Sequence, residues 1–304
     1  MAETEIIKGI GVSTMGGSPN MEALPAFLDR AVELGVDYVE LSLCDEDIVA
    51  GGRILPDKLA RLKSLIETRP LRYSVHGPIA INFMDWMHLD LHKQVCRAFL
   101  QLCGGIGAEV MVIHSGIVKA TTQGEHARLY DIQRDALAEM GDAAAAAGVR
   151  LCVENVFVYG QDEHTAAPDH LAAELAAVGH DWVRGTLDFG HARIQTQLLG
   201  QDYGDACRAF APQVGHLHVH DCFGTPRTIW TPAESENLAY GLGDLHAPLG
   251  WGDMQWEEVF PTLPLQPGTI LMLEIQRRYW AELAACVDRA RVLRDMLEAR
   301  TLAA

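Results

Sequence analysis

The stretch Gly185-Thr186-Leu187-Asp188-Phe189-Gly190-His191 ends an apolar run on an aspartate and presents a histidine three residues later. A carboxylate and an imidazole released together at the end of a buried strand suit the grip of a divalent cation. One such pair fits a helix cap or a turn equally well, so the weight lies in repetition. Tyr73-Ser74-Val75-His76, Met111-Val112-Ile113-His114, Cys152-Val153-Glu154, Leu217-His218-Val219-His220-Asp221 and Met272-Leu273-Glu274 finish in the same manner. A lone buried histidine is ordinarily a satisfied core residue. Six runs ending alike imply that metal-competent side chains are being delivered to one place.

The elements that would deliver them are legible as alternating strand-like and amphipathic helical runs, the pattern of a parallel sheet with crossover helices. The predicted strands are Ile6 to Ser13, Asp37 to Leu43, Leu71 to His76, Val110 to His114, Arg150 to Glu154, Val183 to Asp188, Val214 to His220 and Thr269 to Glu274. Between them, Leu91, Val95, Ala98, Phe99, Leu102 and Ile106 recur at helical spacing and predict one apolar face against the sheet. Pro56, Gly35 and Gly148 mark helix starts and stops. Eight units predict an α/β fold of the (β/α)8 TIM barrel type, one domain over residues 1–304, with a doubly wound open sheet as the competitor. In a barrel all strand C-termini open on one face, so the six run ends would converge there.

Composition narrows the classes. A chain of 304 residues with 49% hydrophobic content can fill one large core. No apolar stretch approaches a membrane span and the first residues carry no signal-peptide pattern, so a soluble, cytoplasmic protein is expected. Seven scattered cysteines without C-x-x-C spacing read as reduced and mostly buried. A formal charge of -17 disfavours nonspecific wrapping of nucleic acid. The segment from Cys222 to Gln255, with Pro226, Pro232, Pro248, Trp230, Tyr240 and Trp251, is too long for a plain connection and is expected to be functional.

With these residues on the page, the chain resembles the xylose isomerase-like barrel superfamily, which holds sugar isomerases, 3-epimerases and endonuclease IV. The resemblance implies for an epimerase that Glu154, Asp188, His218 and Glu274 hold one divalent ion (Zn, Mn, Co or Mg). Glu154 and Glu274 would then be the catalytic pair exchanging a proton with carbons beside the substrate carbonyl. It further implies substrate contacts from His191, from Glu40 on strand two and from His220, with Trp251 in the upper loops as another candidate. A buried ion pair with arginine is an equal alternative for Glu40, and His220 or Asp221 is a candidate for orienting His218. Endonuclease IV adds ligands matched here by His76, His114, His191 and by Asp244-Leu245-His246 ahead of Leu249-Gly250-Trp251-Gly252. That likeness implies up to three ions, with Glu154 bridging two of them.

The departures concern the substrate. Endonuclease IV follows its strand-three histidine with a Tyr-Leu pair that penetrates DNA, whereas this chain reads His76-Gly77-Pro78-Ile79-Ala80-Ile81-Asn82. The run Cys44-Asp45-Glu46-Asp47 after strand two would repel a phosphate backbone. Basic residues of the upper loops (Arg53, Lys119, Arg193, Arg227, Arg277, Arg278) are dispersed, while Phe83, Trp86, Phe157, Tyr159, Phe223, Trp230 and Trp251 suit the walls of a compact pocket. Three functions follow as expectations. The first is a metal-dependent isomerase or epimerase of a sugar, sugar phosphate or related polyol-ketone. The second is an endonuclease IV-like phosphodiesterase acting at abasic sites in DNA with a trinuclear zinc cluster. The third is a metal-carrying binding barrel without turnover. The expected partner is a small carbohydrate-like molecule, with nucleic acid disfavoured, no membrane, and a homo-oligomer left open.

Overall fold

The computed structural model describes residues 5–303 except 120, 121 and 161. Its centre is a closed barrel of eight parallel strands, β1 (Ile7–Ser13), β2 (Tyr38–Ser42), β3 (Arg72–His76), β4 (Val110–His114), β5 (Arg150–Glu154), β6 (Val183–Asp188), β7 (Val214–Val219) and β8 (Thr269–Leu273). Each strand pairs with its sequence neighbour, and β8 closes on β1 through Gly11 opposite Met272. The (β/α)8 barrel expectation holds, and the expected strand limits differ from the observed ones by one residue at most. The differences fall where the ladder stops: Glu274 and His220 sit just past the last paired residues of β8 and β7.

Around the sheet run α1 (Leu24–Leu34), α2 (Pro56–Ile66), α3 (Leu89–Ile106), α4 (Gln123–Ala147), α5 (Pro168–Val178), α6 (Phe189–Leu199) and α7 (Tyr203–Phe210). The short helices α8 (Glu234–Tyr240) and α9 (Trp256–Val259) follow in the long segment after β7, and α10 (Leu283–Ala303) closes the chain. Pro56 opens α2, where its missing N–H costs no helical bond, and Gly35 and Gly148 end α1 and α4 in the left-handed region. The predicted stripe of α3 buries Ala98, Phe99 and Leu102, while Leu91 in its leading turn is half exposed. A two-stranded ribbon, Val49–Ala50 against Arg53–Ile54, follows β2 and was not foreseen. All seven cysteines are free thiols. Among the described residues no helix is long and apolar enough to cross a membrane.

Two apolar layers hold this arrangement. The larger fills the space between sheet and helices, and a smaller one, Tyr38, Val110, Val112, Cys152, Ile270 and Met272, plugs the barrel itself. The plug residues share the two-residue phase of the strand-end donors, so the polar ring stands on an apolar floor. Close helix packing depends on small residues. A Cβ at Gly104 of α3 would lie 2.6 Å from the backbone oxygen of Ala147 in α4, where neither side can yield cheaply. Gly104→Ala is therefore expected to destabilise the fold by about 1–3 kcal/mol despite its better helix propensity. A thermal or urea melt checks this, and an unchanged midpoint would show that α3 and α4 can separate freely.

Candidate metal centre

Strand alternation decides which side chains enter the barrel mouth. On β7, His216 and His218 share one phase and His220 continues it past the strand end, so all three point inward. The same phase brings Ser74 and His76 in from β3, His114 from β4, Glu154 from β5, Asp188 from β6 and Glu274 from the end of β8. Their donor atoms fall into adjoining groups. Glu154, Asp188, His218 and Glu274 form one, His76, His114 and Glu154 a second, and His191, Asp244 and His246 a third, with the atoms in each group within 4.8 Å of one another. The structure thus assembles all nine residues singled out in the sequence as candidate ligands.

His218 Nδ1 sits amid the first group, 3.3 Å from Glu154 Oε1, 3.8 Å from Asp188 Oδ2 and 3.3 Å from Glu274 Oε2. Ligand bonds of ~2.0–2.2 Å in a tetrahedron separate donors by about 3.3–3.6 Å, so this spacing fits a shared ion. Glu154 faces two ways. Its Oε2 lies 3.3 Å from His76 Nε2 and 3.6 Å from His114 Nε2, while its Oε1 lies 3.0 Å from His191 Nδ1. In the third group Asp244 Oδ2 lies 2.8 Å from His246 Nε2 and 3.2 Å from His191 Nε2.

The fit to a cation also shows in what these atoms lack. Both Glu154 oxygens, His218 Nδ1, His220 Nδ1 and Asp244 Oδ1 are shut from solvent and find no hydrogen bond of ordinary geometry among the described residues. A buried polar atom left so costs ~1–3 kcal/mol, and a shared divalent ion satisfies several such donors together. The protonation pattern follows the crowding. Burial alone would raise the Glu154 carboxyl, but the imidazoles of His218, His114 and His191 hold it well below the usual carboxylate range. Glu274 is pushed up, because burial and the charges of Glu40 and Glu154 outweigh His218 and His246. His114 is pushed down to about 4 by burial, which Glu154 only partly offsets.

Several residues hold the donors in place. Asp188 caps α6: its Oδ1 accepts from the His191 amide at 2.7 Å, which fixes the D-x-x-H pair to one helix start. Asn155 brackets Asp188, donating to its carbonyl and accepting from its amide, both at 2.9 Å. Gly190 is small because a side chain there would run into the His220 ring. The loop from Asp244 to Gly252 is tied to β7 by Asp221, whose Oδ2 accepts from the amides of Gly250 and Gly252 at 2.6 and 2.9 Å and whose Oδ1 accepts from the Trp256 indole. Asn155, Ser74 and His216 were missed in the sequence. For His216 the signal was present as His-x-His-x-His, whose spacing places a third imidazole on the same face.

The four expected substrate contacts separate. His191 joins the third donor group. His220 is fully buried, with Nε2 3.2 Å from Asp188 Oδ2 and its ring stacked on His246, so it braces those two side chains. Glu40 is fully buried beneath the ring, and its ion-pair partners among the described residues are His216 and His218, not the arginine weighed as the alternative to a substrate contact. Trp251 is partly exposed and packs edge-on against Tyr279. Beside the third group opens a cleft of about 830 Å³ whose lining includes Phe157, Tyr159, Leu198, Leu199, Pro226 and Asp244. Phe157 stands between cleft and centre, its ring 5.3 Å from that of His191.

Comparison with curated protein sequences returns no match. Among solved structures the chain is similar to a D-tagatose 3-epimerase-like protein (15% identity, TM-score 0.70, covering 96% of this chain and 99% of that one). It is also similar to an L-ribulose 3-epimerase (19%, 0.67, 96% and 95%) and to a protein from Thermus thermophilus soaked with ZnCl2 (23%, 0.65, 93% and 97%). At such identities these likenesses speak for the fold. A family model described as xylose isomerase-like TIM barrel matches residues 28–298, and the chain belongs to that family.

Proposed function

We propose that this protein is a divalent-metal-dependent isomerase or epimerase of a compact carbohydrate-like substrate: a sugar, a sugar phosphate or a related polyol-ketone. The observation that carries this reading is the row Glu154, Asp188, His218, Glu274, delivered by the consecutive strands β5 to β8 with donor atoms within 4.8 Å. A divalent ion held there would polarise a substrate oxygen and make protons on the adjoining carbons easier to remove. The two glutamates stand at the ends of the row, so each addresses the substrate from its own side, one to take a proton from carbon and the other to return one. Asp188 and His218 between them have no such freedom, being held by the α6 cap and by Glu40.

The surroundings support a small molecule. The cleft beside Asp244 suits a sugar-sized ligand and has aromatic walls. Of the upper-loop cations, Lys119 is paired with Asp162, Arg193 lies over Tyr203, and Arg277 and Arg278 lie over Trp280 and Tyr279. Arg227 lines the cleft and Arg53 lies on the ribbon after β2, so among the described residues these cations are dispersed and offer a phosphate backbone little. Two of the similar structures bear names of sugar 3-epimerase type, which agrees with this class of substrate.

A second reading, phosphoester hydrolysis of the endonuclease IV kind, is favoured by one observation. The donors come as three adjoining groups, two of which share Glu154 while the third meets it through His191, more than a single ion requires. Metal content separates the two readings. Protein stripped with a chelator and reloaded with zinc or manganese is expected to hold one ion per chain and to epimerise or isomerise ketoses if the first reading is right. Three ions together with cleavage of a phosphoester or an abasic-site duplex, and no ketose turnover, would replace it with the second. Glu274→Gln is expected to lower isomerase turnover by at least ~10²-fold, the scale of a lost general acid or base, with the far-ultraviolet dichroism unchanged. Wild-type turnover in that variant would remove Glu274 from the acid–base pair.

A further inference from the structure

Glu40 stands apart from the ligand row. It arises from β2, is fully buried, and reaches across the barrel interior to β7. Its Oε1 lies 3.0 Å from His218 Nε2, and its Oε2 accepts from Ser74 Oγ at 2.9 Å and lies 3.2 Å from His216 Nε2. Its ion-pair partners among the described residues are those two histidines.

An imidazole nitrogen that carries a proton cannot also hold a metal ion, so the partner of one nitrogen decides the task of the other. An ionised carboxylate only accepts hydrogen bonds. Facing Glu40, His218 Nε2 must therefore be the protonated nitrogen, and the lone pair that can bind an ion is left on Nδ1, which looks toward Glu154, Asp188 and Glu274. Ser74 holds the carboxylate from its far oxygen and sets the plane in which it meets the ring. We infer that Glu40, held by Ser74, is a positioning residue that fixes the tautomer and ring orientation of His218 and so sets the affinity of the Glu154–Asp188–His218–Glu274 site for its divalent ion. This rests on the reading of that quartet as a metal site.

The test measures zinc affinity by competition with a chromophoric chelator, together with the melting temperature of each metal-stripped protein. The proteins are wild type, Glu40→Gln, Ser74→Ala and, to mark the quartet's own ion, His218→Ala. Glu40→Gln is expected to weaken the ion lost in His218→Ala by about 10–100-fold, the range for outer carboxylates of histidine ligands, without lowering the melting temperature of the stripped protein. Ser74→Ala should weaken it by a few-fold in the same sense. Unchanged affinity in Glu40→Gln overturns the inference, as does a loss matched by a fall in the stripped protein's melting temperature, which would mark a purely structural role. If Glu40→Gln does not fold, Ser74→Ala decides, and unchanged affinity there overturns the inference. A wild type that binds no ion brings down the functional reading and this one with it, whereas binding lost in His218→Ala but kept in Glu40→Gln brings down this one alone.

Discussion

Five carboxylates, Glu40, Glu154, Asp188, Asp244 and Glu274, are drawn into the mouth and upper interior of one barrel, and their ion-pair partners among the described residues are histidines only. Taking a carboxylate out of water costs several kcal/mol unless charge and hydrogen bonds are restored to it. Here that restoration comes from imidazoles, which can give it up to a cation. Much of the upper structure serves to keep these groups together: closure of β8 on β1, the Asn155 bracket around Asp188, the space left by Gly190, and the Asp221 tie to the returning loop. The apolar floor of Tyr38, Val110, Val112, Cys152, Ile270 and Met272 closes the barrel beneath the polar groups and keeps their surroundings poorly polarisable.

The barrel and the donors at its strand ends could be read from the residues because both depend on local order. A strand that ends on His, Glu or Asp declares its last inward residue by parity, and parallel strands carry all such ends to one rim. Thus His76, His114, Glu154 and Asp188 were identifiable one strand at a time, whereas Asp244 and His246 were reached through the likeness of D-x-H before L-G-W-G to the endonuclease IV pattern. The pairing of Glu40 with His216 and His218 was not legible, for a different reason. It is a contact between β2 and β7, which are not neighbours in the sheet, and no spacing along the chain encodes which residues meet across a barrel's interior. The packing of Trp251 was not legible either, because the partner of a loop aromatic is set by how the loop folds back, here onto Tyr279.

The segment between β7 and α9 shows how one connection can serve both stability and chemistry. It leaves the barrel at Asp221, carries α8 outward, and returns as a short bridge in which Ala247 pairs with Asp221. Gly252 must be glycine there, since any side chain would meet the backbone of Cys222. The return places Asp244 and His246 against His191 and leaves Asp244 on the wall of the aromatic cleft. One loop therefore completes the third donor group and shapes the approach to it.

The cap on α6 carries a consequence for coordination number. Asp188 commits Oδ1 to the His191 amide, and its Oδ2 already meets the His220 ring. Each oxygen therefore keeps one lone pair, so neither can by itself be shared between two ions. Were Glu154, Asp188, His218 and Glu274 to give one donor each to an octahedral ion, two positions would remain for the vicinal oxygens of a chelating ligand.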